Sequence, residues 1–128
     1  MGQSKISADL KQNRLLLTLI GVITKEAASE IYTEIRFCVA DLKPGFSVVT
    51  DLTQCRLGYL AGLGTFGKIR EYLISKQVGS IVRIVRKNQI AFKQISRIID
   101  RNEKYQPVYV NSMDEAEEKL AELNGRSA

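Results

Sequence analysis

Phe46–Arg70 reads FSVVTDLTQCRLGYLAGLGTFGKIR. Its first seven residues, Phe46–Leu52, are mostly apolar, as expected of a short strand in the interior of a partly parallel sheet. A glycine-rich loop follows. Leu63, Phe66, Ile69, Leu73 and Ile74 then predict a helix from about Leu63 to Val78, with Gly79 placed to close it as the C′ residue. Strand, loop and helix start, in that order, form the place where a small α/β domain meets a ligand, a phosphate or a partner.

Upstream, Ile6, Ala8 and Leu10 alternate with Ser7 and Asp9, the period of a half-buried edge strand. Lys11-Gln12-Asn13 is a polar turn, and Arg14–Ile20 is a second strand ended by Gly21, so an N-terminal hairpin is expected. Thr24 is placed as an N-cap with Glu26 near the positive helix end. Ala28, Ile31, Ile35, Cys38 and Leu42 then make one apolar stripe, stopped by Pro44-Gly45. Downstream, Ile81–Val85 reads as a strand and Asn88 caps a helix to about Asn102. Val108–Val110 is a last strand, and Ser112-Met113-Asp114-Glu115 is a capping box opening a final helix over Ala116, Leu120 and Leu123. The expected architecture is α/β: a five-stranded mixed sheet with four helices and an N-terminal hairpin. One domain is expected over 1–128, with its core at about 4–123 and 124–128 a frayed tail.

Composition narrows the function classes. The 128 residues suffice for one domain with a core and are too few for two. No apolar run reaches the roughly 18 residues that span a bilayer. The opening MGQSKISADLKQ lacks the apolar centre of a secretion signal, so a cytoplasmic location is expected. Cys38 and Cys55 form neither a disulfide framework nor a metal motif. The chain has no histidine, which excludes Ser-His-Asp hydrolysis and His-ligated zinc. No metal, cofactor or catalytic residue is expected.

The net charge of +5 is concentrated in the middle. Residues 56–104 carry eleven basic against three acidic side chains, while residues 1–55 balance and residues 105–128 are net acidic. Candidates for a basic patch are Arg83, Arg86, Lys87, Lys93, Arg97 and Arg101. They could favour an acidic protein or anionic lipid. No helix-turn-helix, RNP or zinc-finger pattern accompanies them, so nucleic acid is disfavoured.

Gly62-Leu63-Gly64-Thr65-Phe66-Gly67 spells G-x-G-x-x-G, but a dinucleotide site needs the glycines immediately after a strand. With the strand expected to end near Leu52, about nine residues intervene, and no acidic group follows at the required distance of roughly 20 residues. The same stretch nearly spells a P-loop through Gly67-Lys68, but Ile69 stands where Ser or Thr should hold magnesium. The remaining reading is that small residues let the helix start pack closely on the sheet.

The element order, NRLLLTLIG at 13–21, VVTDLT at 48–53 and the closing S-x-D-E-A-E-x-x-L at 112–120 resemble the STAS domain family. That is the fold of the SpoIIAA-like anti-sigma factor antagonists. The resemblance covers roughly Ser4 to Leu123. The family shows Asp-hydrophobic-Ser and then Asp-Ser-Ser-Gly at the next helix start, one of those serines being the phosphoacceptor. Asp51-Leu52-Thr53 fits the first part and Gly62-Leu63 fits the end, but Tyr59-Leu60-Ala61 replaces Asp-Ser-Ser. The resemblance therefore implies the scaffold and the site of partner contact without the usual hydroxyl.

The expected function is a non-catalytic interaction or regulatory module in bacterial signalling. Its contact candidates are Asp51, Thr53, Tyr59, Leu60, Gly62, Leu63 and Thr65. The alternative is a module of the same fold that binds a small anionic molecule or anionic lipid through 53–65 and the following helix N-terminus. A regulatory protein partner is expected, and a homodimer is compatible with the sequence.

Overall fold

The computed structural model describes residues 4–56, 63–87 and 107–125. Five strands form one mixed sheet: β1 (Lys5–Asp9), β2 (Arg14–Val22), β3 (Ser47–Arg56), β4 (Ile81–Ile84) and β5 (Val108–Val110). Their spatial order is their chain order, with β1 antiparallel to β2 and every later pair parallel. Three helices stand among the described residues: α1 (Lys25–Val39), α2 (Leu63–Ser75) and α3 (Met113–Gly125). The fourth, expected over 88–102, lies outside the described residues.

The sheet has a core on each face. Leu15, Leu17, Leu19, Val48, Ile81 and Val85 pack under α1 and α2, where Ala28, Ile35 and Leu73 meet them. On the other face, Val49, Val82, Ile84 and Val110 pack under Ala116 and Leu120 of α3. Strands covered on both faces need apolar side chains in both phases of their alternation, which accounts for the near-continuous VV and IV runs. The Arg14 guanidinium adds a 2.5 Å ion pair to Glu117 of α3.

Capping chemistry follows the sequence closely. Thr24 Oγ1 accepts from the Ala27 N–H at 3.1 Å, and Ser112 Oγ accepts from the Glu115 N–H at 3.1 Å. Glu115 reaches back to the Asn111 N–H rather than to that of Ser112. Asn13, in the hairpin turn with φ +53°, exchanges side-chain hydrogen bonds with both backbone groups of Lys43. That pins the hairpin to the α1–β3 connection.

The end of α2 departs from expectation. The helix stops at Ser75, and the left-handed C′ residue is Gln77, with φ +63°, not Gly79. The Gln77 N–H donates to Ile74 O at 3.0 Å and the Val78 N–H to Leu73 O at 3.1 Å, a Schellman motif. A side chain in the left-handed region costs roughly 1–2 kcal/mol. Gln77→Gly is therefore expected to raise stability by about 0.5–1 kcal/mol in urea denaturation, net of glycine's greater unfolded-state entropy. An unchanged midpoint would show that this turn holds no strain. Gly79 is glycine for a different reason: a Cβ there would lie 2.5 Å from Gly45 O.

Candidate functional site

The sequence singled out the C-terminal end of the parallel strands, and there β3 is longer than expected. It continues past Leu52 to Arg56 because a bulge carries it on. Thr18 pairs with Asp51, but Ile20 pairs with Gln54, so Leu52 and Thr53 together oppose Leu19. Asp51 Oδ1 closes the bulge, accepting from the Thr53 N–H at 2.9 Å and from Thr53 Oγ1 at 2.6 Å. The extra residue reverses the alternation. Val48 and Leu52 face the α1–α2 core before it, and Cys55 faces the same core after it.

The candidate residues therefore divide. Asp51 and Thr53 are half-buried and bonded to each other. Thr65 is half-buried in the first turn of α2, which Leu63 opens. Tyr59, Leu60 and Gly62 lie outside the described residues. Of the basic candidates, Arg83 is half-buried on the sheet, donating to the Tyr109 hydroxyl at 2.9 Å with its guanidinium 5.9 Å from the ring centroid. Arg86 and Lys87 are exposed just beyond β4. Lys93, Arg97 and Arg101 lie outside the described residues.

The glycine motif takes a different form from either phosphate-binding pattern. Because β3 reaches Arg56, only residues 57–61 separate it from Gly62, fewer than expected. Yet Gly64 and Gly67 already belong to α2, and Gly67-Lys68 begin its second turn. The Gly67 N–H is thus spent within the helix instead of cradling a phosphate at its mouth. Close packing does not explain these glycines either. No described atom lies within 4 Å of a Cβ built at Gly64, and at Gly67 only the Arg70 guanidinium does, at 3.9 Å.

What lies beside them is a groove of about 530 Å³ between α1 and α2, lined by Tyr32, Tyr72, Gly64, Gly67, Lys68 and Arg70 together with Glu71. Sequence reasoning missed this groove. Two glycines one turn apart inside a helix were its only local signal.

Neither cysteine is activated. Burial pushes the Cys55 thiol up to about 11, and burial with nearby Glu34 and Asp41 raises that of Cys38. Both shifts oppose the thiolate that reactivity requires. Among the described residues no group of three His, Cys, Asp or Glu could hold a metal ion, and no helix is long and apolar enough to cross a membrane.

No protein-family model matches the chain, and no curated protein matches its sequence. Among solved structures, the chain is similar to the anti-sigma factor antagonist SpoIIAA in its unphosphorylated form, with a TM-score of 0.62. The superposition covers 92% of this chain and 97% of that one at 11% sequence identity. Sheet order, the antiparallel opening strand and the coverage together establish a STAS-type, SpoIIAA-like fold.

Proposed function

We propose that this chain is a non-catalytic STAS-like regulatory module of the bacterial cytoplasm. In this reading it binds a protein partner through 53–65 and the start of α2, without the serine phosphoacceptor. The observation that carries the reading is the likeness of nearly the whole chain to an anti-sigma factor antagonist. The sequence refines it: Leu60 and Ala61 stand where the family carries its serines, and neither side chain can accept phosphate. Contact then depends on apolar and shape complementarity at the helix start.

Leu63→Asp tests this reading. A pull-down from the native cytoplasm with wild type and variant, followed by mass spectrometry, is expected to show one protein captured by wild type and lost from the variant. Circular dichroism should be unchanged. Equal capture by both proteins would remove Leu63 and its surroundings as the contact surface. If both capture nothing while folded, a thermal-shift screen with small anions and anionic lipid becomes the decisive measurement, since native-state binding raises Tm.

A further inference from the structure

Among the described residues nothing explains Gly64 and Gly67. Neither has a positive φ, and no described part of the molecule crowds either. Glycine weakens a helix relative to alanine, so two of them in one helix cost folding stability. Both line the α1–α2 groove, into which they place no side chain.

The floor of that groove is aromatic. The Tyr32 and Tyr72 rings meet edge to face with centroids 6.1 Å apart. Each carries a cation, the Arg36 guanidinium 5.6 Å from the Tyr32 centroid and the Lys76 ammonium 5.7 Å from that of Tyr72. Lys68 adds positive charge to the lining, and Glu71, the one acid among the described lining residues, is paired with Arg70 at 3.4 Å. The acids of α1 do not offset this field. Glu26, Glu30 and Glu34 lie roughly 120–160° around the helix from Tyr32. The first turn of α2 holds no acid.

We propose that the α1–α2 groove is the docking site for an acidic peptide segment of a protein partner. An apolar side chain of that segment enters over Gly64 and Gly67 onto the tyrosine pair, and its carboxylates meet Lys68 and the cations at the margin. Charge complementarity selects the acid, and the aromatic floor selects a peptide with an apolar anchor. The proposal rests on reading this end of the molecule as the partner surface, and it names the chemistry of the partner.

A display library of random peptides panned on the full-length chain tests it. Enriched sequences are expected to be net acidic with Leu, Phe or Met anchors. The Kd of a lead peptide, read by fluorescence anisotropy, is expected to rise at least about tenfold in Gly67→Leu and in Lys68→Glu. The double variant Gly64→Ala/Gly67→Ala is expected to melt several degrees higher than wild type yet bind the lead peptide more weakly. That combination separates a groove kept open for binding from a damaged fold. Enrichment without acidic bias, or an affinity untouched by these variants, overturns the proposal. So does direct binding of a single-stranded oligonucleotide or of phosphatidylserine vesicles that is lost in Gly67→Leu, which would assign the groove to another occupant. A native partner lost from Leu63→Asp but kept by Gly67→Leu overturns the groove and leaves the interaction-module reading standing.

Discussion

Gly79→Ala is expected to cost about 3 kcal/mol or more, lowering Tm by on the order of 10 °C. The backbone at Gly79 is not left-handed, so the penalty is purely one of space. A Cβ would lie 2.5 Å from Gly45 O, 3.1 Å from Gly45 C and 3.3 Å from Phe46 O, all backbone atoms. Flexible side chains can step aside, but these atoms are fixed by hydrogen bonds on both sides. The Gly45 N–H donates to Gln77 O at 2.7 Å, the Gly79 N–H to Phe46 O at 2.7 Å and the Val48 N–H to Ser80 O at 2.8 Å. Relieving the clash means pulling the α1–β3 and α2–β4 connections apart, losing bonds worth about 1 kcal/mol each net. Phe46, 1% exposed, would be drawn out of the core with them. Against the roughly 5–15 kcal/mol that holds a domain of this kind together, the loss is severe. Gly67→Ala supplies the contrast: the same added methyl in an open helix position is expected to stabilise by roughly 0.5–1 kcal/mol. Urea denaturation of both variants checks the pair. Equal midpoints for wild type and Gly79→Ala would mean that the two connections are not packed as described.

Much of this architecture was legible because it depends on local chemistry. Thr24 and Ser112 cap helices whatever surrounds them, and the Ile6–Leu10 alternation, a polar turn and the apolar Arg14–Ile20 run admit little besides a hairpin. The misreadings share a cause. Gly79 looks like a helix stop, but the demand for glycine there comes from Gly45, 34 residues away, while the left-handed turn fell to Gln77. Gly64 and Gly67 read as small residues for close packing on the sheet, but no described atom crowds either. Of the candidate site, the sequence located the helix start at Leu63 but ended the strand four residues early, at Leu52 instead of Arg56. It could not show the groove, because Tyr32 and Tyr72 meet only through the packing of two helices 40 residues apart in the chain. The likeness to SpoIIAA was legible as element order and a few motifs, while the sequential strand order had no periodic signature at all.

Asp51→Ala is expected to destabilise the chain by about 2 kcal/mol, and its effect should reach the proposed contact surface. The bulge leaves the Thr53 N–H without a place in the β2–β3 ladder, and the Asp51 carboxylate is what satisfies it. Removing the acceptor from a half-buried site leaves that N–H and the Thr53 hydroxyl to find water, a loss of roughly 1–3 kcal/mol. Asp51→Asn keeps a carbonyl oxygen at the same place and is expected to recover most of the stability, because shape and acceptor survive while charge assistance goes. The functional consequence follows from phase. Without the bulge, a straight β3 would put Gln54 on the core face and turn Cys55, now 6% exposed, outward. The strand would then lead toward the start of α2 in the wrong phase. Urea denaturation with thiol labelling of Cys55 reads both effects: Asp51→Ala should unfold earlier and react faster under native conditions, and Asp51→Asn should do neither to the same degree. Should Cys55 stay protected in Asp51→Ala, the bulge is held by the packing of Leu52 and Cys55 rather than by the carboxylate, and Asp51 is released for a role at the surface.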